Sequence, residues 1–286
     1  MKITVRHEAD STFDSLVPRL EAAAAATVPL VGVITGLALP DEVVIRTMTV
    51  DSWLRAHQNR LVERLAEEVE QLGVPVELIP EAQLKQKAII GAFQMCWPLM
   101  LGQAYDFTAG KPEVVILPDA LKHAGVFDDD RVLCKALAHE TTHLAQYAAS
   151  DGQVWAMRET FFPRLRDTAD RAYSLLLEGH AYWADREITT KIFDEPVTTD
   201  ETSPLASEHY RELAKMRDRS PQKAHFTQGV AEVAQIIDSM GLHAFNRVWT
   251  RPDLVPLTSE TGVPGFWPRR FSSPLPPPWL ARPAGH

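Results

Sequence analysis

His139-Glu140-Thr141-Thr142-His143 puts two imidazoles four positions apart with a carboxylate between them. On an α-helix, residues at i and i+4 lie one turn apart on the same face, so both rings can converge on one tetrahedral cation. Glu140 projects about 100° further round the helix, within reach of a water on that cation without being a ligand itself. That is where a general base belongs. The pattern points to a zinc hydrolase of the zincin type.

A catalytic zinc ion takes three protein ligands and keeps a fourth position for water, so a third ligand is expected downstream. The metzincin extension needs a glycine and then a third histidine at set spacings after His143, where this chain has Gln146 and Ala149; that subclass is excluded. Glu178 is the candidate, with His180 as the alternative. Asp185 falls seven residues after Glu178, on nearly the same helix face, where it can accept the outer N–H of a ligand histidine or stand as an exposed charge at a helix end. His180 and Tyr182 are candidates for stabilising a transition-state oxyanion, and each is equally readable as a packed core residue.

These groups need two helices. Arg131–Tyr147 carries Val132, Leu133, Leu137, Ala138, Leu144 and Ala145 at helical spacing behind Asp128–Asp130, whose carboxylates suit the positive end of the helix dipole. A second helix is expected over Thr168–Asp185, with the small Gly179 and Ala181 letting it approach the first. Upstream, Glu42–Val50 reads as a strand, and Trp53–Leu72 as a long amphipathic helix capped by Asp51 or Ser52 and ended by Gly73. Val74–Ile79 reads as a second extended segment. Val114–Pro118 reads as a strand ending at a proline, in the place where a zincin edge strand borders the cleft. After an irregular stretch, Asp194–Pro204, helices are expected over Glu208–Arg217 and Gln228–Met240, and Ser273–Trp279 favours polyproline II or disorder.

The chain has 286 residues, 45% of them hydrophobic and 23% charged, enough for a substantial core. A net charge of −9 with no basic run argues against nucleic-acid partners. Two cysteines, Cys96 and Cys134, give no disulfide framework and suit reduced, buried thiols. The apolar run Ala22–Leu39 is broken by Pro29, Gly32 and Gly36 and preceded by acidic residues, so it is read as packed helix and turn, not as a secretory signal or a span. A cytoplasmic protein without a membrane partner is expected.

Leu101–Phe107, Val114–Pro118, Ala138–Gln146 and Leu177–Ala181 together resemble the zincin-like metallopeptidase type 2 family, often labelled coenzyme F420 biosynthesis-associated in actinobacteria. Shorter similarities, among them Val50-Asp-Ser-Trp53 and Phe245-Asn-Arg-Val-Trp249, extend the likeness from about Val33 to Arg270. The chain departs from the family by Ala104 between Gln103 and Tyr105, and by His180 where a tyrosine is more usual. The resemblance implies a zincin fold with His139 and His143 as metal ligands, Glu140 as base and Glu178 as third ligand. No nucleotide or flavin-like motif accompanies it, and F420 binding is not expected.

The expected fold is α+β: a mostly helical zincin-like metallopeptidase with a small mixed sheet, the His-Glu-x-x-His helix and a following glutamate helix. Residues 1–193 would form the zincin-like lobe with its backing helix and edge strand, 194–270 a helical region packed on it, and 271–286 a proline-rich tail. The expected activity is cleavage of peptide bonds by a Zn²⁺-activated water, with a peptide or protein as substrate. The alternatives are a non-catalytic zincin-fold metalloprotein that binds a partner, and a hydrolase of small amides.

Overall fold

A computed structural model describes residues 1–261, 263 and 265–272. The proline-rich stretch from Ser273 lies outside them. The chain opens on β1 (Lys2–Glu8), then α1 (Leu16–Thr35) leads to β2 (Glu42–Met48) and α2 (Val50–Leu72). The α2 cap is Thr49, whose Oγ1 accepts from the Ser52 amide at 3.2 Å; it is not Asp51 or Ser52, which already lie inside the first turn. Gly73 ends the helix in the left-handed region at φ 55°, where glycine pays no Cβ penalty.

Val74–Ile79 is not extended. Val76–Leu78 makes a 3₁₀ turn that runs into α3 (Ile79–Cys96). Pro80 and Glu81 occupy the first turn of α3, where a missing N–H costs nothing and a negative charge is favoured. Those two preferences outweigh the β-branched content of the segment.

A hairpin of β3 (Gly102–Thr108) and β4 (Lys111–Ile116) completes a four-stranded mixed sheet of order β1-β2-β4-β3. β1 pairs parallel to β2 and β2 parallel to β4, while β3 runs antiparallel to β4 along the edge. The strand expected at the edge, Val114–Pro118, is therefore an inner one, and it ends at Ile116. Its consecutive buried residues Val114, Val115 and Ile116 suit a strand covered on both faces. The edge beside the cleft is β3.

Helix α4 (Pro118–Ala124) precedes α5 (Asp130–Ala149), capped by Asp129, whose carboxylate accepts from the Arg131 and Val132 amides. Then come α6 (Gln153–Glu159), α7 (Tyr173–Phe193), α8 (Glu208–Asp218), α9 (Pro221–Met240), α10 (Leu242–Asn246) and a terminal turn, α11 (Arg269–Ser272). Helix α7 starts at Tyr173, five residues later than expected, because the Thr168 and Arg171 amides bond within a turn and Ala172 N–H donates to Pro256 O.

Val43, Ile45, Val114 and Ile116 face α1 and α5 through Leu16, Leu20, Val28, Leu133, Leu137 and Leu144. Val115 and Leu117 face the other way, toward Trp53 of α2. A second core joins α7, α9 and the C-terminal segment around Phe245, Trp249 and Trp267. Gly179 serves this second core: a Cβ there would lie 2.6 Å from the Gly229 backbone of α9. Its small size admits α9, not α5 as expected from the sequence.

Helix α1 is, at 20 residues and mean hydropathy 1.4, long and apolar enough to cross a membrane by length and composition, with 33% of its most apolar window buried. The run Ala22–Leu39, expected to be packed helix and turn, belongs largely to this helix, which continues through Pro29 and Gly32 and ends at Gly36. In the fold, its Leu16, Leu20, Ala24 and Val28 face is spent on the sheet core.

Candidate metal centre

Helix α5 carries the two imidazoles and α7 packs beside it with the carboxylate. Glu178 Oε2 lies 3.5 Å from His139 Nε2 and 3.9 Å from His143 Nε2, and one donor atom from each of the three residues falls within 4.8 Å of the others. Ligand bonds of about 2.0–2.2 Å in a tetrahedron put donors about 3.3–3.6 Å apart, so the set fits a metal ion after small adjustments. Among the described residues this is the group of His, Cys, Asp and Glu side chains so placed.

The outer atoms of each ligand are occupied. His139 Nδ1 lies 3.0 Å from Asp185 Oδ2, and the same oxygen accepts from Lys135 Nζ at 2.9 Å. Asp185 is fully buried, so it is no exposed helix-end charge. Gln146 Nε2 donates to the Leu177 carbonyl at 3.0 Å, which fixes the amide orientation and turns Oε1 toward His143 Nδ1 at 2.8 Å. His143 must then donate from Nδ1, leaving the Nε2 lone pair aimed at the site. Glu178 Oε1 accepts from Arg158 Nη2 at 2.8 Å, which leaves Oε2 to face the imidazoles.

Charge follows this wiring. Burial opposes protonation of His139, yet its bonds to Asp185 and Glu178 and the charge of Glu140 prevail and push it up to about 9. Burial dominates at His143 and lowers it to about 4, with the Glu178 charge opposing. Burial works against ionised Glu178, but Arg158 and the two histidines outweigh it and hold the carboxyl well below the usual carboxylate range. Glu140 moves the other way: burial, helped by Glu178, raises it against the pull of His139. Two partly buried carboxyls thus have opposite tendencies, one fixed as an anion and the other ready to hold a proton.

Glu140 reaches the sheet edge, where its Oε2 accepts from the Ala104 amide of β3 at 2.7 Å. It lines a cleft of about 590 Å³ together with Lys85, Ile89 and Phe93 of α3 and Met100. Tyr182 lines the same cleft, its ring 4.5 Å from the His139 ring and 5.0 Å from Lys135 Nζ.

His180 is a correction. It is fully buried, with its Nδ1 3.0 Å from Gln146 Nε2 and its ring among Trp183, Phe245 and Trp249. It neither joins the ligand atoms nor lines the cleft, so it can serve neither as ligand nor beside a transition state; it backs the residue that orients His143. Sequence reasoning missed Gln146 and Arg158. Gln146 had a local signal, three positions after His143 on the same helix. Arg158 reaches Glu178 from α6, and no spacing rule foretells that. Cys96 and Cys134 are both free, and burial pushes the Cys134 thiol up.

No protein-family model matches the chain, and no curated protein does. It is similar in fold to a crystal structure from Chloroflexus aurantiacus described as "a putative hydrolase with a novel fold", with a TM-score of 0.54 over 90% of each chain at 20% identity. At that identity the likeness speaks for the α+β fold alone. The zincin-like resemblance therefore rests on the sequence motifs and on the geometry they form.

Proposed function

We propose that this protein is a zinc-dependent hydrolase of the glutamate-zincin type that cleaves peptide bonds. The observation that carries the reading is the convergence of His139 Nε2, His143 Nε2 and Glu178 Oε2, each turned inward by a bond to its outer atom. Two imidazoles and a carboxylate are a donor set that suits zinc. A bound zinc ion supplies a cation that polarises the scissile carbonyl and brings the pKa of a water toward neutrality.

The rest falls to the chain's own groups. Glu140, raised by burial, takes a proton from water and returns it to the leaving amine. Asp185 and Gln146 hold the two imidazoles in one tautomer and one orientation. Arg158 keeps Glu178 ionised and turned. Tyr182, which lines the cleft beside His139, would donate a hydrogen bond to an oxyanion. The bond between Glu140 and the Ala104 amide sets the base beside a strand edge, which favours an extended peptide over a small amide. The hydrolase description of the Chloroflexus protein agrees at a coarser level.

The test compares zinc-loaded wild type with Glu140→Gln on a mixed peptide pool, reading products by mass spectrometry. Loss of general acid–base catalysis lowers kcat/KM by about 10²–10⁴-fold, with zinc content unchanged. Equal turnover by the two proteins would remove Glu140 from the chemistry. Bound zinc with no hydrolysis by either would favour the partner-binding alternative.

A further inference from the structure

The free edge of β3 is short. Leu117 N–H donates to Leu101 O, and antiparallel pairs alternate, so Gly102, Ala104 and Asp106 turn their peptide groups away from β4. Two of those groups are already engaged by side chains. Ala104 N–H donates to Glu140, and Asp106 O accepts from Arg60 Nε at 3.0 Å.

Past Ala104 the edge closes. The β3–β4 register breaks between Tyr105 and Thr108. Arg60 and Arg64 of α2 clamp the Asp106 carboxylate at 3.3 and 2.8 Å, and Arg64 also pairs with Glu159. The side chains of Arg60, Arg64 and Asp106 are only 5%, 10% and 11% exposed. Glu159 follows Arg158, the partner of Glu178, so one band of alternating charges runs from the candidate metal ligands to the strand. In the other direction the cleft continues past Gly102 along Leu99, Met100, Leu101 and Tyr210.

Antiparallel addition, the better-bonded arrangement for an extended chain, directs the amino-terminal end of a bound peptide toward Asp106. From Ala104, where the base sits, to Asp106 is two positions, or about 7 Å of strand. We infer that this protein trims peptides from their amino termini, accepting about two residues ahead of the cleaved bond. Glu159, lining the closed end, offers a carboxylate to the terminal ammonium. The hydrolysis balances as follows: the amide C–N bond breaks, the water oxygen joins the acyl carbon, and the water proton reaches the new amine by way of Glu140.

This inference rests on the peptidase reading, and the wild-type chain tests it. Zinc-loaded protein is given peptides with one, two, four or six residues ahead of a common sequence, each with a free or an acetylated amino terminus. Expected products lack one or two amino-terminal residues, and acetylation lowers kcat/KM at least about tenfold, as loss of a charge-assisted contact does. Cleavage inside long acetylated peptides, or release of residues from the carboxyl end, overturns the inference and leaves the peptidase reading intact. No hydrolysis of any peptide with zinc bound overturns both. Glu159→Gln, which keeps the shape of the network, is expected to erase most of the difference between free and acetylated peptides; a preserved difference removes Glu159 as the ammonium's partner.

Discussion

Asp185→Asn separates ligand orientation from folding. Asp185 is fully buried and its Oδ2 serves both His139 Nδ1 and Lys135 Nζ, at 3.0 and 2.9 Å. Replacing the carboxylate leaves the imidazole a weaker acceptor, and an outer partner of this kind contributes about 10–100-fold to metal affinity, or about 1.4–2.7 kcal/mol. The substitution also strands the Lys135 ammonium, which is about 10% exposed. Removing one member of a buried pair costs about 3–5 kcal/mol of stability, whereas removing both is often near neutral. Asp185→Asn is thus expected to lose both stability and zinc affinity, and Asp185→Asn with Lys135→Met to recover the share of stability lost by stranding Lys135 but neither the share owed to His139 nor the affinity. Urea unfolding of the metal-free proteins reads the first quantity, and zinc titration against a competing chelator at fixed pH reads the second. If affinity returns together with stability in the double variant, Asp185 acts through the fold alone and the orienting role is wrong.

Gly179→Ala is expected to destabilise the protein by about 1–3 kcal/mol, the cost of overpacking, because its Cβ would meet the Gly229 backbone at 2.6 Å; an unchanged melting temperature would mean that α7 and α9 are less tightly joined than described. The metal-free protein should be most stable near neutral pH. Burial lowers His57 and His143 to about 4 and His180 to about 3, so the unfolded chain takes up protons first and stability falls as pH drops from 6.5 through that range. His139, raised to about 9, contributes stability that is fully present below 6.5 and lost as pH rises through 9. Denaturant midpoints across pH 4–10 check this bell shape, and a midpoint that climbs steadily to pH 10 would contradict it.

The parts of the site that lie on one helix were open to sequence reasoning, because period and caps decide them locally. The α5 span, its acidic start and the facing of His139 and His143 all follow from residues within a few positions of each other. Glu178 and Asp185 were also placed together, since both sit on one face of α7. What failed depended on neighbours distant in sequence. Gly179 was matched to the wrong helix, because a small residue signals close approach without saying to what. The inner position of β4 was legible in Val114-Val115-Ile116, a run without alternation, but was outweighed by the analogy to an edge strand. The β1 pattern Lys2-Ile3-Thr4-Val5 was also open to reading, and its place at the far side of the sheet was not. In α3, Pro80 was the available helix-start signal and the β-branched valines before it masked that signal. Arg158 and the clamp on Asp106 join four separate segments, so only the folded chain reveals them.

Plasma mass spectrometry of the purified wild type beside Glu178→Ala reads the three-ligand zinc site itself. The expected result is about one zinc per wild-type chain, as a single three-ligand site requires, and a sharp loss in the variant. A wild-type chain without stoichiometric metal after purification in zinc-supplemented buffer would contradict it.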